Sequence, residues 1–583
     1  MKHLLIALFL AGSLFAFGQN SPVKESIKVE LGKAEKLKWN VTSSGIIMEN
    51  ETNFYVLDTK HRFLAKPKYF ISIFDKAKMS KTKQVELVLP KRTASKSKKK
   101  VAVKFEGVQV IGKHLVLITS FYDRHAKETA VYLQSIDDAG KLDTKITEID
   151  VISNYAINKV WSFRQGFQVI NSDDKSKFMV IRLDKDYERK AESKIHLKVF
   201  DKDINSVWSG DLKLPIADMM YNVFNYQLDN DGNVYLLTRK WKVDTKVSEK
   251  TGKIKVKWTL KDMFNPTYLS TIYHYDYKKE QFKGYDIDLG TKRITDIVFK
   301  ANPNNNDIIC AGFYTNKATG LGLIRRGTDV YLGTRDIMGG TFYARIDKST
   351  AKVVASEVKD FDPNFTKLFS KKTSGGKTGS ELIDFDLKNF VIMDDGSAAI
   401  VAEKTFVNHY YFQYQGVEVE WYSYHYEDLL VVKFKSDGKV DWSLRIPKKQ
   451  VTMDDGGYAS SYIFNVSNNK MHFIFLDAKS TNAKLDKQIA AKQKLKPSTM
   501  FFPELSVANL VTVEMDGTMK RTHLFTSKAT NMVIIPKASR MDDSKLKNQN
   551  SLYTYGINYD LVHWLVPFLP LKYKYSKITF EQQ

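Results

Sequence analysis

Aromatic and β-branched residues alternate in short, largely apolar runs broken by polar turns along much of the chain, the pattern of β-strands. One such run recurs with a polar turn at its end, usually an aspartate. The copies are YFISIFD ending at Asp75, AVYLQSID at Asp137, KIHLKVFD at Asp201, TIYHYD at Asp276, TFYARID at Asp347, LLVVKFKSD at Asp437, NLVTVEMD at Asp516 and YKYSKITF at Phe580. A second unit precedes most of them and reads as a hairpin: FNYQLDNDGNVYLLT from Phe224, NFVIMDDGSAAIVAE from Asn389 and IFNVSNNKMHFIFLD from Ile463. Each carries Asp, Asn or Gly between two alternating runs, the residues that tolerate the positive φ of tight turns.

Two hairpins per repeat make four antiparallel strands. Eight repeats of four strands describe an all-β chain folded as a β-propeller, with eight blades expected and seven the alternative if a terminal repeat is degenerate. The last repeat supplies three strands before the chain stops, while IKVEL (Ile27–Leu31) stands alone near the other terminus. This N-terminal strand is expected to close the last blade, which removes an exposed edge and ties the termini together.

The stretches LDNDGNVYLLT and LLVVKFKSDGKVDWSLRIP, with SVWSGDLKLP around Trp208 as a partial match, resemble the repeats of secreted bacterial β-propellers of the SBBP type. The resemblance implies the propeller fold and no single activity. WD40 signatures are absent from the sequence.

Of the 583 residues, 43% are hydrophobic and 27% charged, a composition that supports a folded globule. Residues 1–18 read as a signal peptide, with Lys2 ahead of the apolar run 4–17 and small residues Ala16 and Gly18 before Gln19. The remainder, 19–583, is read as one propeller domain, placed in the periplasm or outside the cell. No later stretch is apolar for long enough to span a bilayer as a helix. Lys and Arg number 90 against 66 Asp and Glu, a formal charge of +24 that suits anionic partners. An export signal and the lack of a recognisable binding motif argue against nucleic acid. The single cysteine, Cys310, excludes an intrachain disulfide or a multi-cysteine metal site.

In a four-strand blade the second-to-third and fourth-to-first connections emerge on one face. The long insertions 239–266, 315–340, 406–428, 478–507 and 560–571 all fall there by this reading, and loops of that length are uncommon without a task. The most unusual is YYFQYQGVEVEWYSYHYED, which sets Tyr410, Tyr411, Tyr414, Trp421, Tyr422, Tyr424 and Tyr426 among Glu418, Glu420, Glu427 and Asp428. Flat rings beside carboxylates suit sugar rings or peptide side chains, whereas an extended hairpin packing its rings on adjacent loops is the plainer alternative. LVHWLVPFLPL (561–571) adds Trp564 and Phe568, either packed over neighbouring loops or exposed as a peripheral patch for a partner or lipid surface. KRTASKSKKK (91–100) reads as a solvated linker, with an anion-attracting loop as its alternative, and NAKLDKQIAAKQKLK (482–496) as a surface helix.

Catalytic signatures are missing: there is no H-E-x-x-H, G-x-S-x-G or P-loop. Asp229, Asp231 and Asn233 alternate as a calcium loop does, but Gly232 falls in the wrong place for an EF-hand, and a hairpin turn is the expectation. LRIP (444–447) is similar to an arginine motif of sialidases, whose other boxes are absent. No metal site and no cofactor are expected. The sequence is thus read as a noncatalytic envelope or secreted module that binds a protein or glycan, acidic ones included, on its long-loop face. The alternative is a hydrolase or lyase for acidic polysaccharide, using paired carboxylates near the axis.

Overall fold

The computed structural model describes residues 27–580 apart from 39, 96–99, 113, 154–166, 185–192, 215–220, 243, 249, 251–253, 258, 260–267, 303–306, 317, 327–328, 348, 351, 370, 373–377, 380–381, 415–416, 540–549 and 559–570. The candidate signal peptide 1–18, with Trp564 and Phe568, lies outside these residues. The described chain is all-β, built from antiparallel sheets of four or five strands that follow one another along the sequence.

Among the described residues eight such sheets occur. The first comprises Val41–Glu49, Asn53–Arg62, Ala65–Asp75 and Ser80–Glu86. The next five occupy residues 104–153, 167–214, 221–287, 293–360 and 385–446. The seventh spans 463–526, and the eighth joins Val533–Ile534, Ser551–Asn558 and Lys572–Phe580 to Ile27–Leu31. That last pairing is antiparallel, Ile27 opposite Phe580 and Leu31 opposite Ser576. All eight strand copies read from the sequence are the third strand of a sheet, and the three hairpins are its first two strands.

The period of two gives each sheet two apolar faces, and each face meets a different neighbour. In the sixth sheet Ala398, Ile400 and Ala402 join Ile309, Ala311 and Phe313 of the fifth. The intervening Ala399 and Val401 join Phe464, Phe473 and Val511 of the seventh. The same holds along the chain. Clusters unite the first sheet with the second, the second with the third, the third with the fourth and the fourth with the fifth. One further cluster unites the seventh, eighth and first, with Phe54 and Phe74 against Tyr553, Tyr575 and Ile578. A sheet buried on both faces needs apolar residues at every position, which is why these strands read as near-continuous apolar runs in their middles.

Polar links at the turns fix the sheets laterally. The Trp208 indole N–H donates to the Gly232 carbonyl of the next sheet at 2.9 Å, and Trp442 donates likewise to Met515 at 2.9 Å. The aspartates ending the third strands serve the turn itself, accepting backbone N–H groups of Lys78, Asp203, Ser349 and Thr518 at 2.7 to 2.9 Å. Asp229 belongs to the same chemistry. Its carboxylate takes the amides of Asp231, Gly232 and Asn233, so the motif is a hairpin turn.

First strands of successive sheets touch one another: Tyr221–Leu228 meets Arg293–Ala301, which meets Phe385–Ile392. In the eighth sheet the first strand is cut to two residues and followed by a helical turn, Pro536–Ser539, packed on Val41–Glu49 and Ile463–Ser467. The fit requires Gly45, with φ +85°, because a Cβ there would run into the Ala538 carbonyl oxygen.

Two local expectations need correction. The surface helix ends at Ala490 instead of 496: Lys492 turns to positive φ, and the Leu495 carbonyl is taken by Arg445. The basic segment at 91–100 is not wholly a linker, since Lys91–Thr93 pairs with Lys100–Ala102 as a small hairpin between the first two sheets.

Candidate functional site

The insertions of the fourth to eighth sheets all join second to third strands. The fourth carries the hairpin Asp244–Val247 with Ile254–Lys257, the fifth Ala318–Arg326 with Asp329–Asp336, and the seventh the helix Thr481–Ala490. In the sixth the two strands simply continue. Ala398–Tyr414 and Val417–Phe434 run 17 and 18 residues, and their ladder persists from Thr405↔Tyr426 to Tyr414↔Val417. A register shift between Glu403 and Thr405 marks where the pair leaves the sheet, consistent with a bulge that re-aims it. The outer strand of this arm is covered by Gln450–Met453, paired with 423–426, and Met500 lies beside Gln450.

Alternation divides the arm's aromatic residues between two faces. Tyr410 stands opposite Trp421, their rings 5.8 Å apart, on the face shared by Asn408, Ser423 and the stacked pair Phe406 and His425 at 4.3 Å. The Ser423 hydroxyl lies 2.9 Å from His425 Nε2. Tyr411, Tyr422, Tyr424 and Tyr426 occupy the other face, where His409 stacks on Tyr422 at 4.6 Å and approaches Glu420 at 3.5 Å. Tyr414 is paired in the ladder, and its side chain is outside the description. Tyr410 and Tyr411, at the distal end, are exposed, whereas Trp421, Tyr422 and Tyr424 are half-buried.

Tyr426 is held at the root of the arm. Its hydroxyl accepts from Lys537 Nζ at 2.8 Å, tying it to the helical turn of the eighth sheet, and its ring fills the space that a Cβ on Gly457 would need. Beneath it lies a buried polar knot. Lys448 Nζ reaches Glu403 Oε1 at 2.9 Å, Gln450 Oε1 at 2.9 Å and the Tyr426 carbonyl at 3.0 Å. The Ser461 hydroxyl donates to Glu403 Oε2 at 2.7 Å, joining the sixth sheet to the chain that enters the seventh. Arg445 grips Asp428 through Nε and Nη2 at 2.9 and 3.0 Å. The LRIP arginine, Arg445, is therefore engaged within the scaffold by Asp428. Sequence reading missed Glu403, Lys448, Ser461 and Lys537, which carry no motif and come from four distant segments.

The buried carboxylates have donors of their own. Asp58 accepts from Ser72 at 2.6 Å and Gln84 at 3.1 Å, and Asp296 accepts the amides of Leu387 and Ile297, each at 2.9 Å. Burial raises both pKa values above the ordinary carboxylate range despite these bonds. Asp58 belongs to the first sheet and Asp296 to the fifth, so the two do not form a local acid–base couple.

Large apolar side chains left exposed follow the topology. Among the described residues, they lie either on outermost strands or on the side bearing the insertions. The latter include Phe63, Leu64, Tyr410, Tyr411, Met453, Tyr458, Phe501 and Phe502. The short turns described on the opposite side hold none of them.

No protein-family profile and no curated protein sequence matches the chain. Solved structures align with it at low similarity. The quinohemoprotein alcohol dehydrogenase from Comamonas testosteroni is 9% identical, with 95% of this chain and 77% of that one covered and a TM-score of 0.32. The β-propeller domain of the Trilobed protease from Pyrococcus furiosus is 9% identical, covers 86% and 96%, and has a TM-score of 0.29. The Synechocystis apocarotenoid oxygenase is 9% identical, covers 88% and 96%, and scores 0.31. Likeness at this level transfers no activity, substrate or cofactor.

Proposed function

We propose that the eight sheets are blades of a β-propeller, closed where Ile27–Leu31 completes the eighth, and that the protein is an exported, noncatalytic binding module of the cell envelope. The succession of face-to-face clusters, ending with the one that joins the seventh, eighth and first sheets, supports the ring. The observation that carries the binding reading is the arm of the sixth sheet. It projects rings from both faces and the Glu420 carboxylate from one, on a root clamped by buried ion pairs, and it stands among the insertions of neighbouring sheets. A rigid arm presenting Tyr410, Tyr411 and Glu420 suits an extended ligand with apolar and polar edges, such as a partner protein segment or a glycan chain.

The test is to replace 406–425 by a two-residue turn, which keeps the root, and to measure binding on a glycan array and to purified envelope proteins. Loss of a saturable interaction seen with the unaltered chain supports the assignment. Retained binding moves the site elsewhere, and release of shortened or unsaturated sugars from acidic polysaccharide would replace the module with an enzyme.

A further inference from the structure

The first sheet carries a second feature on the insertion-bearing side. Its second and third strands, Asn53–Arg62 and Ala65–Asp75, are joined by a turn of two residues, Phe63 and Leu64, with Arg62 opposite Ala65. These side chains are 92% and 93% exposed, the highest values of any large apolar residue described, and residues 61–67 are all exposed around them. Leu64 adopts φ 57°, a left-handed conformation that Gly or Asn takes readily and a bulky apolar residue does not. Neither the backbone nor the core asks for leucine there. A solvent-facing apolar pair that includes a strained leucine points to a use for the side chains themselves.

Charge identifies what they meet. Lys60, Arg62, Lys66 and Lys68 flank the tip, and Lys68, opposite Lys60 at the far end of the group, pairs with Glu86 at 2.8 Å. The hairpin Lys91–Thr93 with Lys100–Ala102 leaves the same side of the same sheet, bringing Lys91, Arg92 and Lys100 with exposed Val88 and Val101. The arrangement is convex, with apolar side chains at its summit and cations behind them along both strands. A summit ringed by cations matches a soft anionic layer into which Phe63 and Leu64 sink while the lysines stay at headgroup level.

We infer that the Phe63–Leu64 tip docks the protein on an anionic lipid surface. This is independent of the arm of the sixth sheet and stands or falls without it. The test uses the purified chain with vesicles of phosphatidylcholine, with or without phosphatidylglycerol, in co-sedimentation. Binding is expected to the anionic vesicles, to weaken with salt, and to fall at least about tenfold in F63S/L64S. Leu64→Gly separates the role from folding: it relieves the positive φ, so thermal stability holds or rises while lipid binding drops. Phe63→Trp supplies a direct readout, a blue-shifted emission on adding anionic vesicles. Equal partitioning of F63S/L64S and the unaltered chain overturns the inference, as does an emission spectrum of the Phe63→Trp variant that does not move. Self-association abolished by F63S/L64S in the absence of lipid would assign the tip to a second copy and equally overturn it.

Discussion

Lys448→Met is the substitution that most sharply probes the root of the arm. The ammonium group pairs with Glu403 and donates to Gln450 and the Tyr426 carbonyl, and the side chains of the Lys448 and Glu403 pair are both 0% exposed. Removing it leaves a carboxylate in the interior with the Ser461 hydroxyl as its hydrogen-bond donor. Breaking such a pair from one side costs about 3–5 kcal/mol, because the uncompensated charge stays behind. Removing both charges in E403Q/K448M is expected to recover ~2 kcal/mol of this, since only neutral groups then lack partners. Urea denaturation followed by tryptophan fluorescence gives the free energies. Hydrogen exchange locates the damage, with amides of the paired segments 405–414 and 417–426 losing protection first. A Lys448→Met variant within about 0.5 kcal/mol of the unaltered protein, or a double variant worse than the single, refutes the reasoning.

Three further outcomes follow from local chemistry. Trp442→Phe removes the indole bond to Met515 and should cost about 1 kcal/mol in the same denaturation assay, with the ring's packing largely kept. Gly517→Ala should cost at least as much, about 1 kcal/mol or more, because φ is +87° and the new Cβ would sit 3.1 Å from the Trp442 ring. Lys292, Tyr314 and Asn316 hold the Asp360 carboxyl down at about 2. Its folded pKa lies below the unfolded value of about 3.9, so its stabilisation is present above that pH and is lost as pH falls toward 2. Asp360→Asn should flatten that part of the acid limb, read from denaturation midpoints taken across it.

The strand inventory was legible because burial on both faces leaves a signal at every position. The third strands end in aspartates whose carboxylates cap the turn, so YFISIFD, TFYARID and their relatives announce themselves by both apolar run and terminus. The strands that the insertions join followed from counting strands alone. Other features left no trace in local sequence. The arm at 406–428 reads as a loop of aromatic residues until its partner strands are paired, and alternation then splits its rings between two faces. Glu403 and Lys448 are 45 positions apart, and an acid and a lysine at that distance announce nothing. The helical turn Pro536–Ser539 carries no signal in local sequence, and its role depends on Gly45 and Tyr426 from other sheets. The stop of the helix at Ala490 reflects a tertiary demand, Arg445 on the Leu495 carbonyl, that outweighs the propensity of the lysine-rich run.

The two ends of the described chain meet in one sheet. Glu30 lies opposite Lys577 in that ladder, and directly opposed Cα atoms in an antiparallel pair are about 4.5–5.5 Å apart, within reach of a disulfide. The native thiol, Cys310, is buried and burial pushes its pKa far up, so it does not compete for oxidation. E30C/K577C is expected to form a quantitative intramolecular crosslink in the monomer under mild oxidation, seen as a mobility shift on non-reducing gels, with a raised unfolding midpoint that reductant reverses. Free thiols that persist in the folded monomer, or crosslinks that form only between molecules, would contradict this pairing.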